Sequence, residues 1–90
     1  MSDPLQRLLN ERVVLDTGGP IVYLGVLTEV TEREFVLQDA DMHDCRDGHA
    51  SKEQYLVDAK TDGLAVNRRS VVVMRSAIIS VSLLSDVVAD

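Results

Sequence analysis

Two separated stretches of this chain, residues 13–27 (VVLDTGGPIVYLGVL) and 71–84 (VVVMRSAIISVSLL), each read as two β-strands broken by a tight turn. Placed near opposite ends of 90 residues, they leave room for one small sheet and one modest core, so residues 1–90 are expected to form a single domain. The sheet they imply is mainly β, bent and barrel-like, with about five antiparallel strands.

A chain of this size buries only roughly 60–65% of the surface its unfolded form exposes, and therefore gains from a metal, a disulfide or a partner subunit. The single cysteine, Cys45, excludes an internal disulfide. No leader is expected ahead of the first strand, and no apolar run approaches the roughly 20 residues of a membrane helix. The expectation is a soluble cytoplasmic protein with no membrane partner, stabilised by self-association. Fifteen acidic residues against nine basic give a net charge of −6, which opposes non-specific attraction to a polyphosphate backbone. A local patch can act against that global sign, and symmetry can repeat a few arginines into a ring.

Ahead of the first strand, Ser2 and Asp3 precede Pro4, and Leu5, Leu8 and Leu9 recur at helical spacing. A polar cap followed by proline in the first turn predicts a short helix over residues 4–10, too short to persist unless it packs on something. From Arg12 the period changes to two. Residues 17–20 (TGGP) supply a turn, and Gly25 inside an apolar strand marks a bend or a close backbone approach. Glu32 and Arg33 form the expected tip between the second and third strands. Residues 41–53 read as a variable acidic loop. Residues 53–60 (EQYLVDAK) carry two patterns: Tyr55, Val57 and Ala59 alternate like a strand, while Ser51 and Gln54 have capping-box spacing. The concentration of Tyr55, Leu56 and Val57 favours a strand, making an extra hairpin through residues 61–63. The apolar residues after Leu83 are expected to cover a barrel end or to contact a neighbouring subunit.

The segments 13–19 (VVLDTGG), 23–27 (YLGVL) and 35–40 (FVLQDA) resemble the first motif of Sm-like (LSm/Hfq-like) domains, and 72–81 (VVMRSAIISV) resembles the second. Their order behind a short helix identifies the chain as a diverged, bacterial-type member. The resemblance implies a short N-terminal helix, five bent strands in an open barrel, and a homo-oligomeric ring of about five to eight subunits closed by pairing of the fourth strand with a neighbour's fifth. Pairing in this way removes an otherwise unprotected sheet edge. Many Sm-like proteins bind single-stranded RNA with the loop between strands two and three and the turn between strands four and five. That carries an RNA-binding set onto Arg75 and Ser76, with Arg33, Arg68 and Arg69 as further cations. Ser76 stands where the eukaryotic pattern has glycine and the bacterial one histidine. Residues 31–34 (TERE) place two carboxylates where the family pattern runs from an aspartate to an asparagine.

Asp41, His43 and His49 are the best set for a divalent metal in the acidic loop, although zinc-type spacing such as C-x-x-C is absent and a solvated loop explains the same residues. Asp41 with Asp44 as an acid/base pair, or Cys45 as a nucleophile, lacks a recognisable pocket or oxyanion nest. Gly18 and Gly19 make a turn, since a phosphate loop needs a longer glycine pattern leading into a helix. Asp16 is expected to cap that turn through backbone N–H bonds, so Asp16, Gly18 and Gly25 are structural. The reading is a non-enzymatic, ring-forming scaffold for a protein partner, with no cofactor. The alternatives are single-stranded RNA binding through the arginines and divalent-metal binding through residues 41–49.

Overall fold

In the computed structural model, residues 4–46 and 51–89 are described. Five strands form one antiparallel sheet: β1 (Arg12–Asp16), β2 (Ile21–Val30), β3 (Glu34–Asp44), β4 (Arg68–Met74) and β5 (Ser80–Leu83). Their order is β4-β3-β2-β1-β5, so β4 and β5 are the two edges and the barrel is open between them. The N-terminal element is a 3-10 helix over Pro4–Leu8 rather than a helix reaching residue 10. Asn10 turns into the left-handed region at φ 68° and donates its N–H to the Leu27 carbonyl, which tethers the turn to β2 before a second helical turn can form.

Both faces of the sheet are covered. On the inner face, Val13, Leu15, Leu27, Phe35, Leu37, Ala40 and Val73 form one core, capped by Leu5, Leu8 and Leu9 of the N-terminal segment. On the outer face, Val14, Val22 and Leu24 pack with Leu56, Ala59 and Leu84. The run Val13, Val14, Leu15 is buried on both sides, which is why β1 is continuously apolar instead of alternating.

The bend falls where the sequence places it. Between the pairs Leu24–Asp41 and Val26–Gln38, β3 spends one residue more than β2. Asp39 takes the strain of that bulge at φ 49°. Opposite it, a Cβ on Gly25 would lie 3.1 Å from the Ala40 Cα, the Ala40 Cβ and the Gln38 carbonyl oxygen. Glycine is therefore favoured here by proximity rather than by backbone angle.

Two further expectations are corrected. Residues 53–60 are not a strand: they belong to α1 (Lys52–Asp62). The Ser51 hydroxyl accepts the Gln54 N–H at 3.1 Å, and Gly63 closes the helix at φ 95° with its N–H on the Ala59 carbonyl, so no hairpin turns at residues 61–63. The strand reading fails because Leu56 and Ala59, three positions apart, share one face in a helix but opposite faces in a strand, and both are buried on the outer face of the sheet. The segment 41–53 is also not one loop. β3 continues through Asp44, where Asp41 to Asp44 pair with Leu24 back to Ile21, and α1 begins at Lys52.

After β5, Leu84 enters the outer core at the start of a 3-10 helix (Leu84–Asp86), and the Lys60 ammonium donates to the Val87 carbonyl at 2.7 Å. Among the described residues no helix is long and apolar enough to cross a membrane.

Candidate functional site

The loop at residues 31–33 is a tight, self-bonded turn. The Thr31 hydroxyl oxygen accepts the N–H groups of Arg33 (3.1 Å) and Glu34 (3.0 Å), while the Thr31 N–H reaches the Glu34 carbonyl at 2.9 Å. The β4–β5 connection, a 3-10 turn over Arg75–Ala77, meets this loop directly. Arg75 makes the junction: its N–H donates to the Arg33 carbonyl at 2.8 Å, and its guanidinium donates to the Thr31 carbonyl at 2.7 Å. The same guanidinium lies 5.3 Å from the centroid of the buried Phe35 ring, a cation–π distance. Arg75 is thus half-buried and fixed, while Arg33 and Ser76 are exposed beside it. A shallow groove of about 340 Å³ adjoins the junction, lined by Leu5, Phe35, Arg75 and residues 78–81.

The five residues grouped from sequence for RNA divide into two sites. Arg33, Arg75 and Ser76 converge at one end of the sheet. Arg68 and Arg69 begin β4 at the other end, where Arg68 faces Ala40 while Met74 faces Glu34. Six residues of strand separate them, roughly 20 Å. Both arginines are exposed, and the Arg68 guanidinium donates to the Asn67 carbonyl at 2.9 Å. The acidic members of the loop differ from each other: Glu32 is exposed, whereas Glu34 is half-buried and accepts from the Thr31 hydroxyl at 3.4 Å.

Among the described residues no group of three His, Cys, Asp or Glu side chains could hold an ion; His49 of the expected set with Asp41 and His43 lies outside the described residues. Asp41 is only 2% exposed. Its Oδ1 accepts from the Asn67 amide at 3.1 Å and its Oδ2 has no partner. Burial pushes its carboxyl above the ordinary range, and the nearby His43 offsets only part of that. His43 stacks on Tyr55 of α1, with ring centroids 3.7 Å apart and planes 7° from parallel. Asp44 is three positions along the strand from Asp41 and so faces the other way. Arg46 holds it to a pKa of about 2 through hydrogen bonds as short as 2.6 Å. Burial raises the Cys45 thiol, with Lys52 opposing and Asp44 and Asp16 adding to the rise, so nucleophilic character is suppressed.

Asp16 sits at the first turn. Its Oδ1 accepts the Gly18 N–H at 2.8 Å and the Lys52 ammonium at 2.9 Å, the latter tying the start of α1 to the end of β1. Burial alone would raise its carboxyl, but these two partners outweigh it and leave it below the usual range. Gly18 adopts φ 82°, and a Cβ there would lie 3.0 Å from the Ile79 side chain.

Asn67 went unnoticed in the sequence. Its side-chain oxygen accepts the Met42 N–H at 3.0 Å and its amide donates to the Met42 carbonyl at 2.9 Å, imitating a strand partner where β4 has not yet begun. A single asparagine before two arginines carries no signal for this, because the partner peptide is 25 positions away.

No protein-family profile matches the chain, and no curated protein matches it. Among solved structures, it is similar to the Sm protein of Pyrococcus abyssii, a structure solved in complex with a uridine heptamer. The similarity has a TM-score of 0.60 at 18% identity and covers 91% of this chain and 99% of that one. The fold of this chain, a short N-terminal helix followed by an open, bent, five-stranded sheet, is therefore the Sm-like fold.

Proposed function

We propose that copies of this chain join edge to edge, β4 of one against β5 of the next, into a closed ring of about five to eight subunits that binds single-stranded RNA. The binding surface is the rim made by residues 31–33 and Arg75–Ala77. The observation that carries this reading is the Arg75 junction, which locks the two loops together at one end of the sheet while Arg33 and Ser76 remain exposed beside it. Among the described residues β4 and β5 each have one edge without a strand partner, and pairing in the antiparallel sense of every ladder in the sheet satisfies those edges. One arginine pair per chain is a weak anion site, but ring symmetry repeats it at every junction. A similar fold solved with a uridine heptamer supports the choice of ligand.

A second reading, a protein-interaction scaffold, is favoured by the net charge of −6 and by Glu32 within the rim loop. One experiment separates the two: fluorescence anisotropy of a labelled oligouridine added to the assembled protein at rising salt. RNA binding predicts an affinity that falls log-linearly with salt, by roughly 0.7 per phosphate contacted. It also predicts that Arg33→Ala weakens binding and that Arg75→Ala weakens it further by releasing both loops. An assembled protein with no affinity even at low salt would eliminate the RNA reading and leave the scaffold.

A further inference from the structure

We infer that the segment after β5 forms a second layer of contact between adjacent copies, with Val88 of one copy covering Val72 and Met74 of the next and Asp86 facing the next copy's Arg68. The inference rests on the β4-to-β5 edge pairing proposed above and names what that pairing brings together.

The first observation is an uncovered apolar stripe. Val71 and Val73 point into the inner core, so the alternate positions of β4, namely Arg68, Ser70, Val72 and Met74, lie on the outer face. α1 shields that face over β1 and β2, through Leu56 and Ala59 on Val14, Val22 and Leu24, and over the end of β3, through Tyr55 on His43. Val72 and Met74 remain 50% and 49% exposed.

The second observation is the path of the terminal segment. Leu83 pairs with Val13 at the start of β1, and Leu84 is buried just beyond it. From there the chain is held by Lys60, near the end of α1, and then passes a groove it shares with Ser51, Gln54 and Val57 at the beginning of α1. The start of α1 is in turn fixed to Asp16, at the end of β1. The segment therefore enters the outer face from the β5 side and runs back alongside the sheet, carrying exposed Asp86 first and Val88, 78% exposed, after it.

An incoming β4 that pairs antiparallel with β5 runs in the matching direction. Its first residue, Arg68, approaches the Leu83 end, where Asp86 is. Its last residues, Val72 and Met74, approach the Ser80 end, toward which Val88 extends. Apolar meets apolar and carboxylate meets guanidinium on the same outer face. Covering the exposed valines and methionine removes surface that a monomer leaves in water.

The test is native mass spectrometry across a dilution series of the wild-type protein, Val88→Asp, Asp86→Arg and the double variant Asp86→Arg with Arg68→Asp, with circular dichroism confirming each fold. Val88→Asp is expected to raise the concentration at half-dissociation by about tenfold, as loss of one buried valine contact predicts. Asp86→Arg raises it by about two- to fourfold, and adding Arg68→Asp restores the wild-type value. A wild-type ring whose dissociation is unchanged by Val88→Asp and Asp86→Arg overturns the second layer while leaving edge pairing intact. A wild-type protein that stays monomeric at every concentration overturns the edge pairing, and the second layer with it.

Discussion

Replacing Gly25 with alanine puts one methyl group at the bend of β2, and the surroundings set the consequence. The new Cβ would lie 3.1 Å from the Ala40 Cα, the Ala40 Cβ and the Gln38 carbonyl oxygen. Two of these three are backbone atoms, and they belong to a strand fixed on its far side by β4 through the Gln38–Ser70 and Ala40–Arg68 pairs. They cannot rotate away as a side-chain tip could. Relief requires β3 to retreat by a few tenths of an ångström, at a strain cost of about 1–3 kcal/mol. Alanine restricts the unfolded chain more than glycine does, which returns about 0.5–1 kcal/mol. At the middle of both ranges the net expectation is a loss of about 1 kcal/mol. In a domain of this size that lowers Tm by roughly 4–8 °C. Thermal unfolding of both proteins at one fixed concentration measures it, since any assembly makes Tm concentration-dependent. A Tm equal to or above that of the parent would show that β3 yields freely, and the packing argument for the bend would be wrong.

Two further predictions concern titration. Asp16 has its folded-state pKa depressed by Gly18 and Lys52, so its contribution is present above the unfolded carboxylate value and is lost as pH falls through the lower folded one. Asp16→Asn should therefore destabilise by about 1–2 kcal/mol at pH 7 and progressively less in acid; a difference independent of pH in urea titrations would contradict the ion-pair account. Asp41 has the opposite sign. Its pKa is raised by burial, so the folded state holds the proton more tightly and stability from this group declines as pH rises from the ordinary carboxylate range through the folded value. Asp41→Asn keeps an acceptor for Asn67 and removes the buried charge, and the decline should flatten. Parallel stability–pH curves for the two proteins would rule out a charge penalty at this position.

Much of the fold was legible because its signals are local. The apolar run at residues 13–15, the turn at Gly18 and Gly19 and the short polar tip at residues 31–33 each depend on neighbours within a few positions, as does the glycine in β2. The site was legible in part. Arg33, Arg75 and Ser76 could be named from their places in two motifs, but nothing local says that the Arg75 N–H closes on the Arg33 carbonyl 42 positions earlier. Arg68 and Arg69 are as basic as Arg75, and only strand length carries them to the other end of the sheet.

What the sequence by itself determined is the place of β1, β2, β4 and β5, the turns beside them and the position of the bend, since steric and hydrogen-bonding preferences of adjacent residues suffice for these. The tertiary structure decided between strand and helix at Lys52–Asp62, where both patterns are written into the same residues. The outer face of β1 and β2 offered an apolar surface that Leu56 and Ala59, three positions apart, reach together only from a helix. It also decided which charges matter. Asp16, Asp41 and Asp44 are the same side chain in the sequence, and a lysine 36 positions away makes Asp16 an anchor and burial makes Asp41 a buried strain, whereas Asp44 is a surface ion pair with Arg46 two positions on.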